Sequence, residues 1–215
     1  MNKPHDLWDD GAPEAYGLLE SLRGTGYTPG TAIADITDNS IAAGAKNVWI
    51  QFKWNGFSGS WITITDDGSG MTEAELVKAM KLASPSRTEE RRKNDLGRFG
   101  LGLKTASISL ARRFTVSSKI DGNELAHRRW DLDYLAKNPG WKMLRHPHED
   151  TPGKETFRRI SSPDMSRGTQ VLLERLDGIL EEGASDQQNR KEFLGRAEEV
   201  EKHLRLVFHR FLKKG

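Results

Sequence analysis

Apolar residues along this chain switch between the three-and-four rhythm of a helix and the alternation of a strand, which predicts interleaved helices and strands. Pro13 to Leu22 reads as an opening helix that stops at the breaker Gly24-Thr25-Gly26, and Thr28 followed by Pro29 predicts a capped second helix running to about Gly44. Val48 to Trp54 alternates with period two, Asn55-Gly56 reads as a turn, and Ser60 to Thr65 alternates again, so an antiparallel hairpin is expected. A helix from Thr72 to about Leu82 is opened by Thr72 with Glu75 three residues on, a capping-box pattern. Ala83 to Phe99 is polar and charged without a sustained period and reads as a long loop, after which glycines at 97, 100 and 102 open a helix to about Ala111. Strands are expected near Phe114 to Ile120, Glu124 to Leu132, Trp141 to Leu144 and Thr169 to Leu176. In the last helix, Ser185 and Gln188 form another cap pattern, and Leu194, Ala197, Val200, Leu204, Phe208 and Phe211 recur at helical spacing. An apolar stripe still running at Phe211 predicts a further C-terminal domain or a protein partner, with residues 1–215 as one domain.

Composition narrows the function classes. Among 215 residues, 33 Lys+Arg balance 31 Asp+Glu to a net charge of +2, so charge alone selects no partner and leaves nucleic acid open. The absence of cysteine removes thiol nucleophiles, disulfides, iron–sulfur clusters and the usual cysteine-containing zinc sites. The N-terminus lacks a signal-like apolar core, and no run approaches the roughly 20 apolar residues that cross a bilayer. A cytoplasmic protein without a membrane anchor is the expectation.

Three clusters can carry chemistry. On a helical wheel, Ile33, Ile36 and Ile41 share one arc while Asp35, Asn39 and Ala42 occupy the opposite one, so an acid and an amide stand one turn apart. Such a pair can serve a metal and a water, and it equally suits a solvated helix face. Asp66-Asp67-Gly68-Ser69-Gly70-Met71 puts carboxylates at a strand end, with glycines that admit close backbone approach or simply make a turn. Gly97-Arg98-Phe99-Gly100-Leu101-Gly102-Leu103-Lys104-Thr105 runs into a helix start, where backbone amides and a lysine can meet phosphate. Leu103 stands where a Walker A loop needs glycine, and Thr105 where a dinucleotide fingerprint needs one, so both of those motifs fail.

The order of the three clusters resembles the GHKL ATPases, the superfamily of gyrase, heat-shock chaperones, histidine kinases and MutL. The likeness runs from about Thr28 to Leu110 and is nearest the MutL and MORC branch, with Arg167-Gly168-Thr169-Gln170-Val171 similar to that superfamily's late Gly-Thr strand. It implies an α+β Bergerat fold, a two-layer sandwich with helices on one face of a mixed, mainly antiparallel sheet, binding ATP and Mg²⁺ beneath a lid at about 83–103. By that resemblance Asn39 holds Mg²⁺, Asp66 accepts from the adenine amino group, and Gly68, Gly70 and Met71 shape the base pocket. Thr169 supports Asp66, while Gly100, Leu101, Gly102, Leu103, Lys104 and Thr105 wrap the phosphates. Asp35 is the carboxylate that activates water, one methylene shorter than the glutamate commonest there, and Ala42 replaces an aspartate found in many relatives. The resemblance further implies lid closure with a nucleotide-dependent conformational or homodimerisation switch. Two alternatives stay open: an ATP-binding regulatory module without useful turnover, and a histidine-kinase-type domain acting on a separate partner.

Outside these clusters, His146-Pro147-His148-Glu149-Asp150 reads as a surface loop rather than a metal site. Arg87, Arg91, Arg92 and Lys93, interleaved with Glu89 and Glu90, read as a solvated part of the lid.

Overall fold

The computed structural model describes residues 11–82, 101–147, 149, 151 and 153–211. Five strands, β1 (Val48–Lys53), β2 (Trp61–Asp66), β3 (Arg113–Lys119), β4 (Ala126–Asp131) and β5 (Gly168–Glu174), form one sheet in the order β1-β2-β5-β3-β4. Every pairing between them is antiparallel. Eight helical segments accompany it: α1 (Ala15–Leu22), α2 (Pro29–Ala42), α3 (Gly56–Gly59), α4 (Glu73–Met80), α5 (Gly102–Leu110), α6 (Leu132–Lys137), α7 (Gly153–Phe157) and α8 (Asp186–Val207). This is the expected α+β class.

Strand alternation sorts the sheet into two unlike faces. Ile62, Ile64, Phe114, Val116, Val171 and Leu173 face the helices and join Ile33, Ile36, Ala106 and Ile108 in the core. On the opposite face, Thr63, Thr65, Thr115, Ser117, Gln170, Arg129 and Glu174 are buried polar side chains. Chain between residues 151 and 167 packs over that side, with the Gln170 amide donating to the Thr156 carbonyl at 2.8 Å and Arg129 bonded to Thr151 and Glu174.

The helix starts follow their caps. Thr28 and Thr31 exchange side-chain and backbone bonds ahead of Pro29, and Thr72 and Glu75 do the same at α4. α2 lies against both α5 and α8. Glycine at position 30 permits the second contact, because a Cβ there would come within 3.0 Å of the His203 ring.

Three expectations need correction. The β1–β2 connection is the short turn α3 rather than a two-residue turn at Asn55-Gly56, since Ser60 Oγ accepts from the Asn55 amide and donates to the Gly56 carbonyl, closing a longer loop. Trp141 to Leu144 is no strand. Only Leu144 pairs, with Arg129, and Pro147 shortly afterwards has no N–H with which to extend a ladder. On α8 the buried face runs through Asn189, Phe193, Val200 and the C-cap Phe208, whereas Leu194 and Phe211 are 49% and 67% exposed. Phe193 wins the inward position because Phe52 and Trp54 each close on its ring at 5.6 Å. α6 and α7, short and weakly periodic, were not foreseen.

Candidate nucleotide site

Helix α2 presents the first cluster as its wheel predicts: Ile33 and Ile36 are buried, Asp35 is half-buried and Asn39 exposed. The Asn39 side-chain amide donates to the Asp35 backbone carbonyl at 2.8 Å. That bond fixes the amide plane and leaves the carbonyl oxygen Oδ1 as the outward end, a hard donor of the kind Mg²⁺ takes. One Asp35 carboxylate oxygen accepts from the Tyr27 hydroxyl at 2.5 Å. The Tyr27 hydroxyl also lies close enough to the Thr105 side chain to be influenced by it, so the turn before α2 approaches the start of α5. Burial, reinforced by the bond to Asp35, pushes the Tyr27 phenol above its ordinary value, and it remains a donor across the neutral range. Burial and then the Asp35 charge raise the Asp38 carboxyl, one turn on.

At the end of β2, Asp66 is 5% exposed. It accepts from Ser40 Oγ at 2.9 Å and from the Gly68 amide at 2.9 Å, with the Thr169 backbone as a third partner. Burial raises its pKa, and these three bonds pull the other way without cancelling the rise. The Thr169 hydroxyl turns instead to Ser118 Oγ at 2.8 Å, and Ser118 Oγ in turn accepts from the Met71 amide at 2.8 Å. Thr169 therefore meets Asp66 through backbone, opposite it in the β2–β5 register. Asp67 is committed elsewhere: it accepts from the Lys46 and Asn47 amides and the Asn47 side chain, all at 2.8 Å. Desolvation opposes that charge, but the bonds prevail and hold its pKa low.

Two glycines bring separate stretches of backbone together here. Gly70 has φ +68° and a Cβ on it would lie 1.9 Å from the Lys119 carbonyl oxygen; Gly168 has φ +142° and a Cβ would lie 2.1 Å from the Asp66 carbonyl oxygen.

α5 begins at Gly102 with Leu101 as N-cap and no side-chain cap, so its first amides are left to other acceptors. Thr105 Oγ1 bonds back to the Leu101 carbonyl at 3.0 Å, and Leu103 packs against the core. Lys104 points inward. It is 3% exposed, its Nζ donates to the Ala79 carbonyl in α4 at 2.6 Å, and burial lowers its pKa to about 8. Gly100 and lid residues 83–100, with their basic cluster, lie outside the described residues, as do His148 and Asp150. Among the described residues no group of three or more His, Asp or Glu side chains gathers as a metal site.

The three sequence clusters are thus joined through two residues given no role by sequence alone. Ser40 links α2 to Asp66, and Tyr27, bonded to Asp35, approaches Thr105. Ser40 sits beside Asn39 but on the buried side of α2, and Tyr27 precedes the helix, so neither carried a periodic signal.

A family model described as histidine kinase-, DNA gyrase B-, and HSP90-like ATPase matches residues 27–162. The DNA mismatch repair protein MutL of Rhizorhabdus wittichii is 30% identical over 152 residues, covering 67% of this chain and 25% of that protein. The ATPase morc-1 of Caenorhabditis elegans is 30% identical over 105 residues, 49% of this chain and 12% of that protein. MutL of Thermoanaerobacter sp. is 31% identical over 98 residues, 44% of this chain and 15% of its own length. The chain spans a quarter or less of each of these relatives. Among the described residues no helix is long and apolar enough to cross a membrane.

Proposed function

The chain belongs to the family of histidine kinase-, DNA gyrase B- and HSP90-like ATPases, and on that premise we propose that it binds ATP with Mg²⁺ between α2, the end of β2 and the start of α5. Slow hydrolysis then drives a conformational or dimerisation switch. The observation that carries this reading is Asp66, a buried carboxylate held by Ser40 and the Gly68 amide where the first two clusters meet. An acceptor in that setting takes an amino group and rejects a carbonyl, which selects adenine over guanine.

Asn39 fits the metal because its amide nitrogen is already bonded and its oxygen is the free end. When bound, Mg²⁺ neutralises phosphate charge. Leu101 to Thr105 offer the uncapped amides of α5 to phosphate oxygens. Asp35 holds the attacking water and takes its proton, with one oxygen committed to Tyr27 and the other left for the water. The short Asp35 side chain favours slow turnover. In this reading Lys104 leaves Ala79 to reach the phosphates, or contributes only to packing.

Calorimetric titration of the protein with a non-hydrolysable ATP analogue, with and without Mg²⁺, tests binding. Mg²⁺-dependent binding that Asp66→Asn abolishes supports the proposal, whereas binding unchanged in Asp66→Asn overturns the adenine assignment. Loss of phosphate release in Asp35→Ala with analogue binding retained supports the base; unchanged release removes Asp35 from that role.

A further inference from the structure

The sheet face turned away from the helices holds a second cavity of about 740 Å³, between β1, β2, β5 and the chain from 155 to 167. Its floor is polar and buried: Thr63, Thr65 and Gln170 are each no more than 4% exposed. Its rim carries Arg158, Arg159 and Arg167. None of these three guanidinium groups has an ion-pair partner among the described residues. The Arg159 guanidinium carbon lies over the Trp49 ring, 4.2 Å from its centre, which holds the group beside the cavity wall. Three carboxylates also line the cavity, two of them already engaged. Asp67 is held by the Lys46 and Asn47 amides, Glu155 pairs with Lys53 at 3.1 Å, and only Asp164 remains.

Three arginines exposed at one rim leave their donors to solvent, and arginine's fork of donors matches phosphate oxygens. The volume falls in the range of small-molecule sites. We infer that this cavity is a second binding site, for a small phosphate-bearing ligand held by Arg158, Arg159 and Arg167. The site lies back to back with the nucleotide site: Thr65 and Gln170 are the chain neighbours of Asp66 and Thr169, and Thr65 Oγ1 donates to Gln170 Oε1 at 3.2 Å. A ligand here therefore bears on the two strands that carry the base pocket.

The test is calorimetric titration of the whole chain with inorganic pyrophosphate and, separately, with uridine 5′-diphosphate, both with saturating Mg²⁺ and the non-hydrolysable ATP analogue present. Binding should survive Asp66→Asn and weaken by about 10-fold or more in Arg158→Gln/Arg159→Gln, the loss expected for removing charge-assisted hydrogen bonds. Arg167→Gln, an independent change at a separate lining position, should weaken it similarly, with circular dichroism confirming that each variant is folded. Tighter binding of the uridine nucleotide assigns an organic phosphate, and equal binding assigns a free oligophosphate. No binding to wild type below roughly 10 mM, binding indifferent to the arginine variants, or binding lost with Asp66→Asn overturns the site.

Discussion

Tyr27 and Asp35 share a 2.5 Å hydrogen bond that anchors one oxygen of the carboxylate proposed to activate water. The phenol precedes α2 and the acid lies within it, so the bond fixes the acid's rotamer from outside its own helix. Tyr27→Phe removes the donor and keeps the ring. A lost hydrogen bond to a charged group is worth about 1.5–3 kcal/mol, so kcat should fall by about 10-fold or more with KM for ATP nearly unchanged. Steady-state phosphate release at varied ATP measures both constants. A change in KM alone would make Tyr27 a wall of the binding pocket rather than a support for Asp35.

The first cluster could be read as chemistry because Asp35 and Asn39 lie on the polar arc of α2, where one-turn spacing is a local property. What joins that cluster to the others depends on tertiary contact. Ser40 reaches Asp66 across 26 positions, and its place on the buried side of α2 looks from sequence like ordinary core packing. The same limit explains α8: the residue that faces inward is chosen by the Phe52 and Trp54 rings, so the stripe through Leu194 was rotated one position from the buried Phe193. The polar back of the sheet was illegible for a further reason. Thr63, Thr65 and Gln170 alternate with core residues as solvent-facing positions do, and only the chain around 151–167 buries them.

Asp66 sets two opposite pH dependences. Its folded pKa is raised above 3.8, so in the window above 3.8 the folded state holds the proton more tightly than the unfolded one. The stability it contributes is full below the unfolded pKa and is lost as pH rises through the folded pKa. Binding runs the other way, because the ionised carboxylate is the stronger acceptor for the adenine amino group. Affinity for the ATP analogue should therefore fall as pH drops from neutral into that window. Calorimetry in steps from pH 7.5 down to pH 4 measures the fall, and an affinity that stays level over that whole range would detach Asp66 from the base.

His127 gives a separate acid transition. Burial first, then the charges of His146, Arg129 and Arg128, lower its pKa from 6.5 to about 4, while its Nδ1 is 2.7 Å from Ser117 Oγ. A folded pKa below the unfolded one means that stability is present above pH 6.5 and is lost as pH falls toward 4. After discount for partial exposure the loss is on the order of 2 kcal/mol. His127→Gln cannot titrate, so its urea midpoint should vary less between pH 7 and pH 5 than that of the wild type.

Gly168 shows how closely the nucleotide site depends on backbone contact. With φ +142° and a would-be Cβ 2.1 Å from the Asp66 carbonyl oxygen, Gly168→Ala must either shift β5 or strain the backbone. Conformational strain and overpacking together cost about 2–5 kcal/mol, which urea denaturation would record as a lower midpoint. The movement falls on Thr169, whose backbone faces Asp66 and whose hydroxyl holds Ser118, so ATP-analogue affinity should drop even at temperatures where the variant stays folded. Gly122→Ala is the matched control: it too replaces a positive-φ glycine, at +79°, but its Cβ would meet nothing within 4 Å. That variant should lose some stability and keep its affinity. Equal loss of affinity in both would trace the effect to general destabilisation and not to the approach of β5 to Asp66.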